Sequence, residues 1–400
     1  RDGDYVAVFN QRTGKQQYRQ AYDAESGTIQ FDFGMPLMLK RRSDANAIGY
    51  FPRSTVLAPY TYRAPLTRDD GWKTTSAQRA GMSESALRDI VRRLATANPL
   101  NDTMPRIHGL VVARLGALVL DEYFYGDGAE DLHDLRSASK TMTSVMAGAA
   151  MLRGAMLYGA KFDMSSPIDT ATTLNGINVG HLLTHSSGLA CNDDDENSPG
   201  NEERMQAQTA TDWYRYTLNI SRVHPAGTVY AYCSGGINLV GRAISAATKQ
   251  WLPAFFDRTI ARPLQITHYA VNLMPSGDAY SAGGMRMRAR DFLKFGQLYL
   301  NGGVWNGTRI VSADWVRTST ARQIDRPDGS TDGFGWHRHV LHVGTHAYQT
   351  YEASGNGGQF VVVIPELDLA IATTAGNYGQ YNVWEKIRTM LVPDIMRAVR

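Results

Sequence analysis

Ser137-Ala138-Ser139-Lys140-Thr141-Met142-Thr143-Ser144-Val145-Met146-Ala147-Gly148 is the stretch on which the reading of this chain turns. From Ser139 onward it predicts a helix with small residues on several faces. No charge follows Lys140 until Arg153, so the helix is expected to be deeply packed, because a surface helix carries more charge. Ser137 then sits at the helix start, with Lys140 one turn later on the same face. A serine hydroxyl is a weak nucleophile and needs a base within hydrogen-bond reach. A lysine amine serves if burial and nearby cations lower its pKa, and a helix N-terminus favours developing negative charge. The plainer reading is a capping serine and a surface lysine, since Ser-x-x-Lys arises often by chance.

Two further stretches carry candidate chemistry. Tyr232-Cys233-Ser234 precedes a helical pattern containing Leu239, Val240, Ile244 and Ala246. A tyrosine whose phenolate is stabilised by a lysine can act as a general base. Tyr230, two residues away on the same face of an extended chain, competes with Tyr232 for that role. Gly355-Asn356-Gly357-Gly358-Gln359 opens the expected strand Phe360 to Ile364. Glycines there let a ligand approach the backbone, and backbone N–H groups here and at Ser137 would form an oxyanion hole. An ordinary core tyrosine and a simple turn are the plain alternatives.

Working outward, Ile107 to Phe124 reads as a β-hairpin turning at Leu115-Gly116. Gln359 to Thr374 reads as a second, turning at Pro365 to Asp368. Ser83 caps a helix running to Ala95, and Trp384 to Val399 predicts the last helix. Strands near both ends with helices between predict one sheet assembled from distant pieces. Three short strands are expected before residue 76: Val6–Phe9, Thr28–Phe33 and Ala47–Phe51. Gly14, Gly27 and Gly34 punctuate them, and Pro52, Pro59 and Pro65 mark an extended link. The expected division is a β-rich extension with linker at 1–75, an α/β domain from 76–160 and 278–400, and a mainly helical domain at 161–277.

Composition bounds the function. The 400 residues are 43% hydrophobic and 20% charged, which excludes a disordered or fibrous chain. Net charge is +3, and residues 1–80 alone hold 12 basic and 8 acidic groups, so nothing points to a nucleic-acid partner. The most apolar run, Thr141 to Ala160, is interrupted by Arg153, so no spanning helix is expected. Two cysteines, Cys191 and Cys233, each fall beside a motif and could approach each other, since both segments are expected to border the site; a disulfide needs close Cα atoms, which spacing does not show, and two free thiols is the favoured reading. The ten histidines show no H-E-x-x-H spacing, so neither a metal nor a cofactor is expected. His185 reads as structural. The acidic run Asp193-Asp194-Asp195-Glu196 with Glu202 and Glu203 reads as a solvated loop, with a preference for cationic substrates as the sharper alternative. The chain opens on Arg1, as a processed or partial chain does. A periplasmic or secreted location is expected, with the cytoplasm as the alternative, and the sequence leaves the oligomeric state open.

Taken together and in this order, the three motifs resemble the serine β-lactamase and penicillin-binding-protein superfamily. The resemblance is closest to class C enzymes, family VIII carboxylesterases and 6-aminohexanoate-dimer hydrolases. Leu182-Leu183-Thr184-His185-Ser186-Ser187-Gly188-Leu189, Ala282-Gly283-Gly284-Met285 with Ala289-Arg290-Asp291-Phe292, Leu300 to Gly307, and Phe334-Gly335-Trp336 resemble the same group. The likeness spans roughly residues 82–400. It implies an α/β (α+β), β-lactamase-like or transpeptidase-like fold: an antiparallel sheet flanked by helices, plus a mainly helical domain. It implies Ser137 as acylated nucleophile, Lys140 and Tyr232 as general base and acid, and Gly358 or Gln359 at the oxyanion hole. The sequence departs from the pattern at Ser234, where Asn is usual, and at Asn356, where Lys or His binds the substrate carboxylate. Losing that charge favours a neutral, small-molecule ester or amide substrate, although Arg338 offers a replacement cation. A β-lactamase or D-alanyl-D-alanine carboxypeptidase is the alternative, and a non-catalytic penicillin-binding or sensing module is the alternative of another class.

Overall fold

The computed structural model describes residues 5–9, 15–32, 36–40, 52–53, 60–98, 101–168, 174, 176–208 and 212–400. Its centre is a nine-stranded sheet. The strand order is Ile324–Asp325, Thr331–Asp332, His337–Val343, His346–Gly355, Gln359–Ile364, Leu369–Ala375, Ile107–Arg114, Ala117–Tyr123 and Lys73–Thr74. Every pairing is antiparallel except the last, where Lys73–Thr74 runs parallel to Ala117 and Leu118. Both expected hairpins form. Leu115 and Gly116 take left-handed φ of 52° and 76°, which matches the twist of the flanking strands. The sheet is joined where Leu369–Ala375 pairs with Ile107–Arg114, two segments from opposite ends of the chain.

Alternation along the central strands separates two cores. Val111, Ala113, Val361, Val363, Ala370 and Ala372 face the helices Ser139–Leu152 and Ala289–Leu300. Leu110, Val112, Phe360, Val362, Ile364 and Ile371 face Glu84–Ala95 and the C-terminal helical segments. Ser83 caps the Glu84–Ala95 helix by accepting from Ala86 N, a contact worth about 1 kcal/mol. The last helix is broken into Tyr381–Lys386, a wider turn at Ile387–Leu391, and Val392–Arg397. The first core runs without a break from the sheet into the helices Val179–Leu183, Ser234–Thr248 and Leu252–Phe256.

The N-terminal segment forms two hairpins, Tyr5–Phe9 with Gln16–Ala21 and Thr28–Asp32 with Pro36–Lys40. The strands Gln16–Ala21 and Pro36–Lys40 had no signal, one being polar throughout and the other opening on proline. The expected strand Ala47–Phe51, Gly14, Gly34 and Pro59 lie outside the described residues. Residues 60–77 form a strap along the outer strand. Tyr62 Oη donates to Val119 O at 2.8 Å, Tyr60 Oη to Glu122 at 2.5 Å, and Ala77 N donates to Tyr62 Oη at 2.8 Å. The strap covers an edge that would otherwise pair with another chain. Arg290, buried on the Ala289–Leu300 helix, pins it by meeting Asp70 at 2.7 Å and Asp121 at 2.8 Å.

Candidate active site

Ser137 lies in a single tight turn, Arg136–Ala138, that runs straight into the Ser139–Leu152 helix. Lys140 is buried, and its Nζ donates to Ser137 Oγ at 3.1 Å and to the Ala282 carbonyl at 2.9 Å. The plain surface-lysine reading is thereby excluded. The buried hydroxyls beyond it explain why this helix is rich in small polar residues. Thr141 Oγ1 donates to Gly335 O at 2.7 Å, Thr143 Oγ1 to Ser281 O at 2.8 Å, and Ser144 Oγ to Phe334 O at 2.5 Å. Ser139 Oγ accepts from Met285 N at 3.1 Å. The stretches around Ala282 and Gly335 are therefore clasps on one helix, each satisfying a polar group that burial would otherwise penalise. Gly335 has φ 72°, and a Cβ there would stand 2.8 Å from that of Ser144.

Tyr232 is held by backbone on both sides. Ala231 N donates to His185 O at 2.8 Å, and Cys233 N donates to His185 Nδ1 at 3.1 Å. The His185 ring packs on Tyr232 with centroids 4.5 Å apart, and Lys140 Nζ sits 4.8 Å from the Tyr232 ring centre. Tyr230 also meets the His185 ring, edge-on at 5.8 Å, but its hydroxyl has no hydrogen-bond partner and Arg326 lies over its ring at 5.4 Å. Tyr232 is thus the tyrosine beside Ser137 and Lys140. His185 is structural as expected. Burial, assisted by the Lys140 charge, pushes its pKa down to about 3, so the ring is neutral and free to accept.

Two expectations need correction. Cys191 and Cys233 are joined in a disulfide, with Cα atoms 5.4 Å apart, and are not free thiols. The approach of the two segments is as expected, but the Cα distance that allows the bond is set by the packing of the acidic loop on the Tyr232 turn, across a separation of 42 residues. That loop is also not wholly solvated. Asp193 turns inward: its Oδ2 accepts from Ser234 N at 2.7 Å and its Oδ1 from Glu202 N at 2.8 Å. Asp195, Glu196 and Glu203 stay exposed. Burial raises the Asp193 and Glu202 carboxyls above their usual range, with Lys140 opposing. Burial alone would favour the neutral Lys140 amine. Tyr232, Glu202 and Asp193 outweigh it and hold that pKa above the ordinary lysine value. The condition for a free lysine base, a pKa lowered by burial and nearby cations, is therefore not met by Lys140 alone. Burial likewise lifts Tyr232, against the pull of Lys140.

The third motif divides. Asn356 joins Ser137 and Tyr232 in the wall of a cleft of about 260 Å³. Gly355 ends the strand His346–Gly355, and a Cβ on it would meet Leu135 O at 2.2 Å and Ala138 N at 3.1 Å, so strand and Ser137 turn are in direct contact. Gly357 faces Tyr378, Gly358 faces Ile387 and Ala375, and the Gln359 amide is buried against Ala375 O at 2.7 Å. Those three residues stand behind the cleft wall rather than in it. Ser234 is buried at the start of the Ser234–Thr248 helix, its hydroxyl without a hydrogen-bond partner in good geometry. The Asn356 side chain is engaged, its Oδ1 accepting from Gly379 N at 2.7 Å.

The cleft also holds Asp194 of the acidic run, and four residues with no signal in the sequence: Arg326, His337, Tyr381 and Arg388. Arg338 is not among them; it borders a separate hollow with Arg322 and Gln349. The two cleft arginines are paired. Arg326 meets Asp332 at 3.5 Å and Asp328 at 3.7 Å, and Arg388 meets Glu352 at 2.8 Å. Glu352 is fully buried, which alone would raise its pKa, yet Arg388 and His339 bring it down to about 2.

Comparison with known proteins places this arrangement. The Beta-lactamase family model matches residues 102–380. A 6-aminohexanoate-dimer hydrolase of Paenarthrobacter ureafaciens is 23% identical over 333 residues, 78% of this chain and 84% of that one. Among solved structures, a Bacillus anthracis protein assigned as a 6-aminohexanoate-dimer hydrolase superposes with a TM-score of 0.63 at 15% identity, covering 90% of this chain and 99% of its own. A class C beta-lactamase superposes with a TM-score of 0.57 at 14% identity, covering 79% and 96%. These structural likenesses establish the fold; the family match spans most of the chain, and by it the protein belongs to the Beta-lactamase family and is a serine-hydrolase-type enzyme.

Proposed function

We propose that this enzyme cleaves a small, neutral ester or amide through an acyl-enzyme on Ser137. The observation that carries the reading is the Ser137 Oγ to Lys140 Nζ contact of 3.1 Å at the base of the cleft, with Tyr232 against the same ammonium. Ser137 Oγ attacks the carbonyl carbon, and its proton passes to the Lys140–Tyr232 pair. The tetrahedral oxyanion collapses as the leaving alcohol or amine takes that proton. Water then attacks the acyl-enzyme by the same route in reverse. The oxyanion donors in this reading are the Ser137 backbone N–H and a backbone N–H of the Gly355 to Gln359 stretch, whose Gly355 and Asn356 line the cleft with Ser137.

The neutral substrate is supported by the cleft charges. Asn356 brings no cation, and Arg326 and Arg388 already answer to carboxylates. The arginines keep an anionic β-lactam as the second reading. An oxidising compartment, periplasmic or extracellular, is supported by the Cys191–Cys233 disulfide. The test is turnover of p-nitrophenyl butyrate, nitrocefin, a D-Ala-D-Ala peptide and an ω-amino-acid dimer. Ser137→Ala is expected to lose at least about a thousandfold in kcat on whichever is cleaved. Equal activity in that variant refutes the assignment, and nitrocefin as the best substrate shifts it to the second reading.

A further inference from the structure

Away from the cleft, three side chains converge on one point. His108 comes from the strand Ile107–Arg114, Asp127 from the turn after Ala117–Tyr123, and His133 from the short strand His133–Asp134. His108 Nδ1 lies 3.0 Å from Asp127 Oδ2 and 2.9 Å from His133 Nε2, and all three donor atoms fall within 4.8 Å of one another. None of the three lines the cleft.

Counting protons shows what this arrangement lacks. His133 Nδ1 faces the Asp134 carbonyl at 3.3 Å, so that nitrogen carries the proton and Nε2 presents a lone pair. A proton on His108 Nδ1 satisfies His133. Asp127 Oδ2 is then a carboxylate oxygen shielded from water with no hydrogen bond of good alignment. Two acceptor atoms, Asp127 Oδ2 and His133 Nε2, thus share the one proton on His108 Nδ1, and a buried unpaired carboxylate oxygen is costly. A cation in place of that proton, at the common centre of the three donor atoms, relieves both.

We propose that His108, Asp127 and His133 form a binding site for a divalent transition-metal ion of the zinc class. Two imidazoles and one carboxylate select such ions over Mg²⁺ or Ca²⁺, which take oxygen ligands. Zinc bonds of about 2.0–2.2 Å in tetrahedral geometry separate donor atoms by about 3.3 Å. The two separations from His108 Nδ1, 2.9 and 3.0 Å, reach that with a few tenths of an ångström of opening, and the third pair, Asp127 to His133, lies within 4.8 Å, so side-chain rotation about the ion completes the set. The contact from His133 Nδ1 to Asp134 O is the outer-shell partner that fixes a ligating imidazole. The Tyr378 ring stacks on His133 with centroids 6.4 Å apart, giving the site an apolar wall. Asp127 and His108 are partly exposed, at 32% and 24%, which leaves an entry path and a position for water. Three protein ligands and a water make the site. Its place in the fold gives it a consequence: the ion would tie the start of the strand Ile107–Arg114 and the turn after Ala117–Tyr123 to the segment that continues through Asp134 and Leu135 to Ser137. No spacing in the sequence shows this, because the ligands come from three separate elements.

The test is zinc binding to the purified full-length chain by isothermal titration, with thermal melting in added zinc and in EDTA. One saturable zinc per chain and a melting temperature raised by zinc are expected. His133→Ala and Asp127→Asn should each weaken binding by about a hundredfold or more, beyond what loss of an outer-shell partner alone costs. His346→Ala, in the exposed His346–Glu366 pair, should leave it unchanged. If His133→Ala does not fold, His133→Gln replaces it, since its amide still faces the Asp134 carbonyl. Cobalt loading should give visible absorption bands that the His133 variant loses. Absence of saturable binding in the unmodified chain, or full retention in a His108→Ala/His133→Ala double variant, overturns the proposal. The readout does not involve hydrolysis, so it stands or falls apart from the function proposed above.

Discussion

Replacing Gly355 by alanine tests whether the strand end at the Ser137 turn is part of the catalytic geometry. Its φ lies outside the left-handed region, so the substitution brings no backbone strain and acts through contact alone. The new Cβ would stand 2.2 Å from Leu135 O and 3.1 Å from Ala138 N. An ordinary carbon–oxygen contact is about 3.3–3.6 Å. Strand and turn must therefore separate by about 1 Å, and both are backbone, so no side chain can swing aside. Overpacking of this kind costs about 1–3 kcal/mol of stability. The larger effect falls on the reaction. A displacement of about 1 Å between nucleophile and oxyanion donors costs about a hundredfold in rate, which is about 2.7 kcal/mol of transition-state stabilisation. The assay is kcat and KM on the best ester from the substrate screen, with urea unfolding on the same preparation to separate fold from catalysis. The expected result is kcat down about a hundredfold, KM changed far less, and a still cooperative unfolding transition. A folded variant with kcat within threefold of the parent would refute the idea that the strand end and the Ser137 turn act as one site.

Two further outcomes follow from the charges and the cross-link. Turnover needs one member of the Lys140–Tyr232 pair in its base form, and both pKa values are raised, so kcat/KM should climb with pH into the alkaline range. Asp193→Asn removes a negative charge that holds the Lys140 proton and should move that limb to lower pH; a flat profile in the parent contradicts the assignment. The Cys191–Cys233 disulfide closes a loop of 42 residues, which the chain-entropy relation values at about 4 kcal/mol. A Cys191→Ser/Cys233→Ser double variant should melt lower by several degrees and lose the sensitivity to reductant seen in the parent. Identical melting of parent and variant would show that the loop is held by its other contacts alone.

Much of the site was legible because two motif residues sit close in sequence. Ser137 and Lys140 are one turn apart, and the uncharged run after them marked a buried helix. Tyr232 against Tyr230 was not legible, since two residues on one face of an extended segment differ only in what packs beside them. The third motif was legible as the stretch Gly355 to Gln359, but not which of its residues lie on the cleft. The glycines at 357 and 358 drew attention to the opening of Gln359–Ile364, while Gly355, at the end of the preceding strand, abuts Leu135 and Ala138 of the Ser137 turn, and Asn356 lines the cleft with Ser137. Arg326, His337 and Arg388 carried no signal, because single charged residues on strands and helix ends are common everywhere.

The sequence by itself determined the periodic elements, the two hairpins flanking the sheet junction, and a Ser-x-x-Lys turn on a buried helix. These depend on local spacing: the repeat of a helix, the alternation of a strand, and turn residues with their own conformational preferences. Only the tertiary structure decided the ionisation of Lys140, the Cys191–Cys233 bond and the meeting of His108, Asp127 and His133. Each of these depends on groups far apart in the chain. Electrostatic energy and covalent cross-linking act through distance in space, and folding sets that distance without leaving a trace in the local pattern.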